Sequence, residues 1–521
     1  MKLVIVHYHL RPGGIRRIIE LATPHLIREF NGAIDGVVVA CGEANDREWN
    51  KYFQGQLAGT PVEFLVEPAF NYFSEQKRSA NKITGQIRAA LGEIFSGAPD
   101  GAVLVWAHNL GIGRNLLLTR ELTRASEQLK IPLIAHHHDW WFDNRWFRWS
   151  EARRCGFRSL RAVARAIFPP APNARHAAIN QKDARILRRH FPQGTAWLPN
   201  LADRAPALPA VRVRAAKDWL SRKLADDAPV WLMPCRLLRR KNIAEALLLT
   251  RWLRPEAWLV TTGGVSSTDE HAYANGLAAA ARRAGWRLRL GILNGLESGK
   301  PGVSELLAAS EAVLLTSIQE GFGLPSLEAT AARRPFIGRA IPNVAPDLVR
   351  FGFRFPQCYD ELLVDPRLFG WQSELQRQQK LFGAWKNCLP GACRRWAGDP
   401  VLLMAGTKTR AMPFSRLTLT AQLEVLAQPV DRSWDLCAPL NPFLPAWRRR
   451  AAAGRLRITP WPRRAAAWLS GKSYARRFGQ IIRAMPHVAP DSDDGIAAQE
   501  EFIRERLGSE HLFPLLWPRQ P

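Results

Sequence analysis

Residues 313–338, VLLTSIQEGFGLPSLEATAARRPFIG, constrain the fold of this chain more strongly than any other segment. The segment opens with an apolar run at 313–315, which predicts a buried strand. A loop with two glycines follows, and Pro325 suits the first turn of a helix, where its missing N–H group removes no hydrogen bond. The pattern therefore predicts a strand, a loop and a helix, the connection that borders the ligand-binding crevice of an open α/β sheet.

Two carboxylates fall at this connection. Glu320 is predicted on the loop, and Glu328 about one turn into the helix. Gly321 and Gly323 let the backbone approach a ligand closely, and the start of the helix offers N–H groups to an anion. The segment is therefore suited to hold polyol hydroxyls beside an anionic group. The structural alternative is a solvated Glu320 and a Glu328 that only complements the helix dipole.

Strand and helix patterns alternate over most of the chain. It begins with KLVIVHYH, which predicts a strand, and continues through a glycine turn into IRRIIELATPHLIREF, which predicts an amphipathic helix. This alternation is typical of a parallel sheet with helices on both faces. Further strands are predicted at 36–40, 102–106, 131–135, 176–179 and 195–198, and, after a Pro-rich linker near 199–209, at 229–236, 258–264, 288–293 and 313–317.

The order Glu320, seven residues, Glu328, with Gly-Phe-Gly between them, resembles the donor-site signature of the retaining glycosyltransferases of family 4, glycosyl transferases group 1. The resemblance implies the GT-B fold, an α/β fold in which two Rossmann-like doubly wound domains face a cleft. It implies transfer of a sugar from a nucleotide-diphosphate donor with retention of configuration, without a metal ion or another cofactor. Family members contact the donor sugar through the loop backbone and the first Glu, and the ribose through the second. The resemblance therefore assigns donor contacts to Glu320 and Glu328, and to Gly263, Gly321, Phe322, Gly323 and Leu324.

A second group of residues is cationic. Arg236 closes the strand at 229–235, and Lys241 lies just before the next predicted helix. Two fixed cations at the mouth of the crevice would stabilise the charge of a departing diphosphate. The order Arg, four residues, Lys-Asn resembles the phosphate-binding pair of the same family, which implies a catalytic role for Arg236 and Lys241. Arg239 and Arg240 lie between them, so an ordinary basic loop stays open as an alternative.

Three consecutive histidines, 136–138, follow the strand at 131–135. Adjacent side chains of an extended segment point to opposite faces, so His136 and His138 are able to share a metal ion and His137 is not. No carboxylate or thiolate is placed to complete the ligand set, and the sequence therefore predicts no metal site. The family resemblance instead places His138, followed by Asp139, towards the reacting sugar. A histidine that lines the cleft without a catalytic role stays open.

Two weaker candidates belong to the same half of the chain. Gly13 and Gly14 form the turn after the first strand, and the resemblance places this turn near the donor phosphates and the acceptor. His108 follows the strand at 102–106, where it is a further candidate for the acceptor side. Glycine turns between a strand and a helix are common, and most of them bind nothing.

The patterns divide the chain into four segments. We predict an acceptor-side Rossmann-like domain at 1–205 and a nucleotide-sugar donor domain at 206–354. Residues 355–490, rich in Trp, Pro and Arg, match no element of the family and are predicted to be an insertion or extension. Residues 491–521 are predicted to contain a C-terminal helix, within a helical pattern at 497–517, that returns to the first domain.

The formal net charge of +27 has two interpretations. One is a compositional bias spread over solvated faces, and the other is attraction to an anionic partner. Between Asp435 and Asp491 the chain has no acidic residue but many arginines, together with Trp447, Trp461 and Trp468. Such a stretch suits peripheral contact with an anionic membrane, or it is a solvated insertion whose tryptophans pack on the second domain. Both interpretations stay open.

The expected location is the cytoplasm, with contact at the inner membrane surface as the open alternative. The seven cysteines are scattered without CxxC spacing, which favours reduced thiols. We expect neither a Sec-type leader nor a membrane-spanning helix. The expected partners are a nucleotide-sugar donor and a glycan or lipid-linked acceptor. Two other classes remain: a GT-B sugar-nucleotide epimerase or hydrolase, and a basic nucleic-acid-binding module, which the absence of a known nucleic-acid motif disfavours.

Overall fold

The computed structural model describes residues 1–96, 101–143, 146–202, 207–295, 297–406, 409–484, 490–491 and 493–517. The chain forms two compact units. Unit 1 comprises Met1–Asp203, Lys386–Ala397 and Arg464–Leu507. Unit 2 comprises Arg204–Trp385, Gly398–Arg463 and Gly508–Pro521. Residues of the segment 355–490 are thus found in both units.

Strands and helices alternate along both units, as the sequence patterns predict. The strands of the described residues are β1 Lys2–Val6, β2 Gly36–Cys41, β3 Val62–Val66, β4 Val103–His108, β5 Leu133–His137, β6 Ala174–Ala178, β7 Thr195–Trp197, β8 Val230–Met233, β9 Trp258–Thr261, β10 Leu288–Arg289, β11 Ala312–Leu315, β12 Phe336–Arg339, β13 Gln357–Tyr359, β14 Leu363–Val364 and β15 Met412–Pro413.

The helices of the described residues are α1 Gly14–Glu29, α2 Arg47–Gly55, α3 Ala80–Phe95, α4 Leu116–Gln128, α5 Trp149–Arg154, α6 Leu160–Ile167, α7 Gln181–His190, α8 Ala210–Leu224, α9 Ile243–Leu253, α10 His271–Ala284, α11 Val303–Ala309, α12 Leu324–Ala331, α13 Ala345–Phe351, α14 Trp371–Cys388, α15 Val401–Met404, α16 Leu419–Ala427, α17 Val430–Cys437, α18 Leu444–Ala452, α19 Ala466–Leu469, α20 Gly471–Arg483 and α21 Asp494–Arg506.

The sheet of unit 1 is parallel and doubly wound. Its seven strands in the described part of the chain follow the order β3-β2-β1-β4-β5-β6-β7. Every pairing is parallel. The chain therefore starts in the middle of the sheet and winds outwards in both directions. The carboxyl ends of β1 and β4, which are neighbours, meet at one edge, where such sheets bind ligands.

Arg464–Leu507, which include α20 and α21, belong to unit 1. Tyr474 and Phe478 of α20 lie in one apolar cluster with Ile18 and Leu26 of α1. Arg506 at the end of α21 forms buried ion pairs, both at 2.8 Å, whose partners are the carboxylates of Asp143 and Asp183. The predicted helical pattern at 497–517 corresponds to α21, but the helix ends at Arg506 because Gly508 and Pro514 do not continue it.

Unit 2 contains the second parallel sheet. Its strand order among the described residues is β10-β9-β8-β11-β12-β13. The predicted strands at 229–236, 258–264 and 313–317 are confirmed as β8, β9 and β11. The prediction of a strand over 288–293 was too long, because Gly291 adopts a φ of 61° and turns the backbone after β10. The described part of the chain thus folds into two doubly wound α/β units, as the sequence predicts.

The tryptophans of the basic stretch are packed within the units. Trp447 is 4% exposed, and its ring lies 4.6 Å from that of Phe443 in unit 2. Trp468 lies 4.8 Å from Trp197 in unit 1. Among the described residues, no helix combines the length and the apolar character that crossing a bilayer requires.

Candidate functional site

Glu320 lies at the carboxyl edge of the unit 2 sheet, on the loop between β11 and α12. Its carboxylate is buried and contacts the ammonium group of Lys241. Its second oxygen accepts a hydrogen bond from Arg240 at 3.0 Å, and Ser317 Oγ donates to the first at 2.6 Å. Burial alone would raise the pKa of Glu320, but the charges of Lys241 and Arg240 outweigh it and lower the pKa to about 2. The carboxylate is therefore ionised at neutral pH.

Lys241 reaches Glu320 because the loops after two neighbouring strands are tied together. β8 leads to a short helical turn, Arg239–Lys241, that ends at Asn242 with a φ of 50°. The Thr316 hydroxyl donates to the carbonyl oxygens of Lys241 at 3.2 Å and of Asn242 at 3.0 Å. The backbone N–H of Ile318 donates to the carbonyl of Arg240 at 2.9 Å. These bonds fix the cationic turn against the loop that carries Glu320.

The cations of this turn have different environments. Arg239 donates to Glu270 and, at 3.2 Å, to the carbonyl of Trp517. Arg240 donates to the carbonyl of Gln319 at 2.8 Å as well as to Glu320. Arg236 is exposed, and a Cβ on Gly263 would lie 3.1 Å from its Cγ. The structure therefore brings Lys241 and Glu320 together and places Arg236 beside Gly263.

Arg240 is the member of this site that sequence reasoning did not select. The run Arg239-Arg240-Lys241 contained the signal, but which cation faces the loop depends on the hydrogen bonds of Thr316 and Ile318, which are distant in sequence. Asn343 is a second such residue, since its Nδ2 donates to the carbonyl of Glu320 at 2.7 Å. Asn343 belongs to no local motif.

The start of α12 requires a glycine. Gly323 adopts a φ of 78°, and a Cβ there would lie 2.8 Å from Val344. Leu324 begins the helix and Pro325 lies in its first turn, as predicted. The side chain of Phe322 is 6% exposed and anchors the loop in unit 2.

Glu328 is the fifth residue of α12 and is half-buried, about one turn beyond the loop that carries Glu320. Gly321 lies on that loop, between Glu320 and Phe322. Both residues therefore occupy the positions along the chain that the segment predicts.

The acceptor-side candidates lie in unit 1. Gly13 is the residue before α1, and Gly14 is its first residue. Apart from its chain neighbours and the backbone of its own helix, no atom of the described residues lies within 4 Å of a Cβ built on Gly14. A close approach within unit 1 therefore does not explain the glycine at this position.

The three consecutive histidines follow the alternation predicted from the sequence. His108 ends β4 and His136 lies opposite it in β5. His138 Nε2 lies 3.2 Å from His108 Nδ1. His137 points to the other face, where its Nε2 lies 3.1 Å from Nδ1 of His176. Burial lowers the pKa of each of these imidazoles, which keeps them neutral at pH 7.

Asn109 fixes the end of β5. Its side-chain oxygen accepts from the backbone N–H groups of His138 at 3.2 Å and Asp139 at 2.9 Å. Both of these residues are half-buried. One ring nitrogen each from His108, His136 and His138 lies within 4.8 Å of the others. The sequence analysis considered His136 and His138 as a pair that could share a metal ion, and the structure adds His108 as the third member of this group.

Two parallel, doubly wound sheets with an acid and cations at the carboxyl edge of the second define a GT-B architecture. Residues 218–366 match the sequence profile of the family described as Glycosyl transferases group 1. The match covers Arg236, Lys241, Gly263, Glu320 and Glu328. The chain therefore carries a glycosyl transferases group 1 domain in unit 2.

Known proteins with similarity to the chain agree with this fold. A curated relative, mannosylglucosyl-3-phosphoglycerate synthase of Petrotoga mobilis, is 23% identical, and the match spans 65% of this chain and 65% of the relative. The structure of HepE from Anabaena in complex with UDP and glucose has 15% identity and a TM-score of 0.50, over 93% of this chain and all of that one. Sucrose-phosphate synthase from Thermosynechococcus elongatus has 15% identity and a TM-score of 0.52, over 92% and 98%. The fold is GT-B.

Proposed function

We propose that the chain is a retaining glycosyltransferase that moves a sugar from a nucleotide-diphosphate donor to an acceptor. The observation that carries this proposal is the buried cluster of Glu320, Lys241 and Arg240 at the carboxyl edge of β8 and β11, within the domain that matches the family. The relative from Petrotoga is named as a synthase of a glycosylated phosphoglycerate, and the Anabaena structure contains UDP and glucose. The first name agrees with the synthesis of a glycoside, and the second with the binding of a nucleotide and a sugar.

The charges of the cluster suit a departing diphosphate. Lys241 and Arg240 carry two positive charges against the single negative charge of Glu320, and the exposed Arg236 lies on the same connection after β8. A cationic site of this kind stabilises the charge that develops on the leaving group as the glycosidic bond to the phosphate breaks. The hydrogen bonds of Thr316 hold the site in place before the donor arrives. We propose that this stabilisation is the main catalytic contribution and that it requires neither a metal ion nor another cofactor.

The donor sugar and the ribose have separate contacts in this proposal. The backbone of Gly321 to Gly323 and the carboxylate of Glu320 bind the sugar, and Glu328 binds the ribose hydroxyls. His138, with Asp139 after it, donates or accepts a hydrogen bond at a sugar hydroxyl. The acceptor hydroxyl attacks from the face that the diphosphate leaves, and the leaving phosphate oxygen takes its proton. The anomeric configuration is therefore retained.

The acceptor is a glycan, a lipid-linked sugar or a small molecule. The name of the Petrotoga relative adds small anionic acceptors to those worth testing. We place the reaction in the cytoplasm, with contact at an anionic membrane surface through the exposed cations of the basic stretch.

The test begins with the donor. Thermal unfolding is measured with UDP, GDP, ADP and their sugars, since a ligand that binds the folded state raises the melting temperature. The donor so identified is then incubated with acceptors, and the anomeric configuration of the product is determined by NMR. Transfer with retention is expected. An epimerised donor or free sugar as the only product, with every acceptor tried, would replace this proposal with the epimerase or hydrolase alternative.

A further inference from the structure

His108, His136 and His138 form a compact group at the carboxyl ends of β4 and β5 in unit 1. The rings of His136 and His138 lie 4.4 Å apart, and those of His108 and His136 lie 5.5 Å apart, measured between centroids. His108 and His136 are fully buried and His138 is half-buried. The group is therefore a buried cluster of imidazole nitrogens.

The hydrogen bonds of His136 fix which of its nitrogens carries the proton. Nε2 lies 3.1 Å from the carbonyl oxygen of Leu198, which only accepts, so Nε2 donates. In the neutral imidazole the other nitrogen, Nδ1, then holds the lone pair. This Nδ1 is buried and has no hydrogen-bond partner among the described residues. Nε2 of His108 also lacks such a partner, but the ring of His108 meets His138 through its other nitrogen, Nδ1.

A buried ring nitrogen without a partner, such as Nδ1 of His136, is unfavourable in a folded protein, because it has lost its hydrogen bond to water. A ligand that accepts electron pairs from several neutral imidazoles would remove this penalty.

We propose that His108, His136 and His138 bind one divalent transition-metal ion of the zinc class. Three neutral imidazoles form a known ligand set for such an ion and leave its fourth position open. Nitrogen ligands without a carboxylate favour Zn²⁺, Co²⁺, Ni²⁺ or Cu²⁺ over Mg²⁺ and Ca²⁺. The carbonyl of Leu198 acts as the outer partner that orients a metal-binding histidine through its other nitrogen.

One nitrogen pair of the cluster already has the spacing that an ion requires. Metal–nitrogen bonds of about 2.1 Å hold neighbouring ligand nitrogens about 3.4 Å apart in a tetrahedral site. His108 Nδ1 and His138 Nε2 are already 3.2 Å apart. His138 lies just after the end of β5, where its side chain has more freedom than one within the sheet.

The binding of the ion does not depend on the proposed sugar transfer. The ion is outside the steps proposed for that reaction, and it engages the ring nitrogen of His138 that lies nearest His108. An occupied site would therefore compete with the proposed contact between His138 and a sugar hydroxyl.

The neighbouring pair His137 and His176 provides a matched control. It has the same chemistry and burial, with a nitrogen–nitrogen distance of 3.1 Å. No third potential ligand joins this pair in the part of the chain that the structure describes. A substitution of His176 therefore changes a buried histidine in the same sheet without removing a ligand of the proposed site.

The experiment is a Co²⁺ titration of the tag-free full chain after treatment with a chelator. We expect one equivalent to bind with the visible absorption of four-coordinate Co²⁺, and Zn²⁺ but not Mg²⁺ to displace it. His108→Gln and His136→Gln should each weaken binding at least about tenfold, whereas His176→Gln should not. Circular dichroism establishes whether each variant is folded. If His108→Gln or His136→Gln is not folded, His138→Gln, at the end of the strand, is tested in its place.

Two results would overturn the proposal. One is the absence of a stoichiometric Co²⁺ site in the unaltered chain. The other is unchanged affinity in folded variants of His108, His136 or His138, which would place the ion elsewhere. Both results are independent of donor binding and of turnover.

Discussion

The ammonium group of Lys241 contacts the carboxylate of Glu320 inside unit 2, where the two side chains are 10% and 9% exposed. A buried pair of this kind makes each partner costly to remove alone, because the other keeps an uncompensated charge. Arg240 and Ser317 also bind Glu320, at 3.0 and 2.6 Å, so the loss of Lys241 leaves the carboxylate partly paired. A substitution of Lys241 or Glu320 is therefore expected to change both turnover and the stability of unit 2.

The first prediction concerns Lys241→Ala. Because one of the preorganised cations is lost, kcat/KM should fall by about 10²–10³, which steady-state kinetics measures. Urea unfolding should show that Lys241→Ala is less stable than the unaltered chain. The double variant Lys241→Ala, Glu320→Gln should regain part of this stability, because it no longer contains the unpaired carboxylate. Turnover close to that of the unaltered chain would mean that Lys241 does not face the leaving group.

The second prediction is a dependence of stability on pH. The pKa of Glu320 is lowered from 4.5 to about 2 in the folded protein. The ionised carboxylate therefore stabilises the fold fully above pH 4.5, and this contribution is lost as the pH falls from there towards 2. Urea unfolding at pH 5.5 and 3.5 should show a larger loss of stability for the unaltered chain than for Glu320→Gln.

Glu510→Gln is the control for that comparison, since the Glu510 side chain is 70% exposed in the same unit. This variant should lose as much stability as the unaltered chain between the two pH values. An equal loss in Glu320→Gln would show that the carboxylate is not held by the cations in solution.

The third prediction addresses Glu328. Replacement by Gln keeps the shape and removes the charge-assisted hydrogen bonds proposed for the ribose, which are worth about 1.5–3 kcal/mol. Calorimetry should show weaker binding of the free nucleoside diphosphate. Glu305→Gln removes an acid from the first turn of α11 in the same unit and should leave this affinity unchanged. Equal affinities in all three proteins would show that Glu328 does not bind the ribose and only complements the helix dipole.

The fourth prediction tests the turn before α12. Gly323→Ala should lower the free energy of unfolding by about 1–3 kcal/mol, because the residue must keep a positive φ and its new Cβ would meet Val344. Gly383→Ala is the matched control, since Gly383 lies in α14 with open space around its Cβ position and alanine favours a helix. A stable Gly323→Ala variant would show that the turn relaxes without strain.

The local part of the site was predictable from the sequence. The apolar run of β11, the glycines around Phe322 and the Pro325 of α12 are signals that act within about ten residues. They gave the strand, the loop and the helix without knowledge of the rest of the chain.

The partners of Glu320 were harder to predict. The choice of Lys241 and Arg240 over Arg239 depends on hydrogen bonds between segments 75 residues apart in sequence. His108 was likewise separable from the other candidates only through the register of β4 against β5, which pairs it with His136. Short strands such as β12, which lies between Pro335 and Ala340, carry too few residues for a periodic pattern.

The last prediction concerns the basic stretch and an anionic membrane. Trp447 is packed inside unit 2, and the half-buried Trp461 and Trp468 contact the rings of Phe353 and Trp197, so we assign the attraction to exposed cations. Lys472, Arg476 and Arg483 are exposed along α20, whose opposite face packs in unit 1. Each cation near an anionic surface contributes about 1 kcal/mol, so a triple change to Gln should weaken binding about a hundredfold. The chain should float with anionic vesicles at about 50 mM salt and be released at about 0.5 M, since salt screens the attraction.

The control for α20 removes the same charge from unit 2. Arg449, Arg455 and Arg457 are exposed there, and their triple change to Gln should leave flotation in place if α20 is the contact. Loss of flotation in the control but not in the α20 variant would assign the contact to unit 2. If the unaltered chain stays in the unbound fraction at low salt, its exposed cations do not bind the anionic membrane. The net charge is then a compositional bias spread over solvated faces.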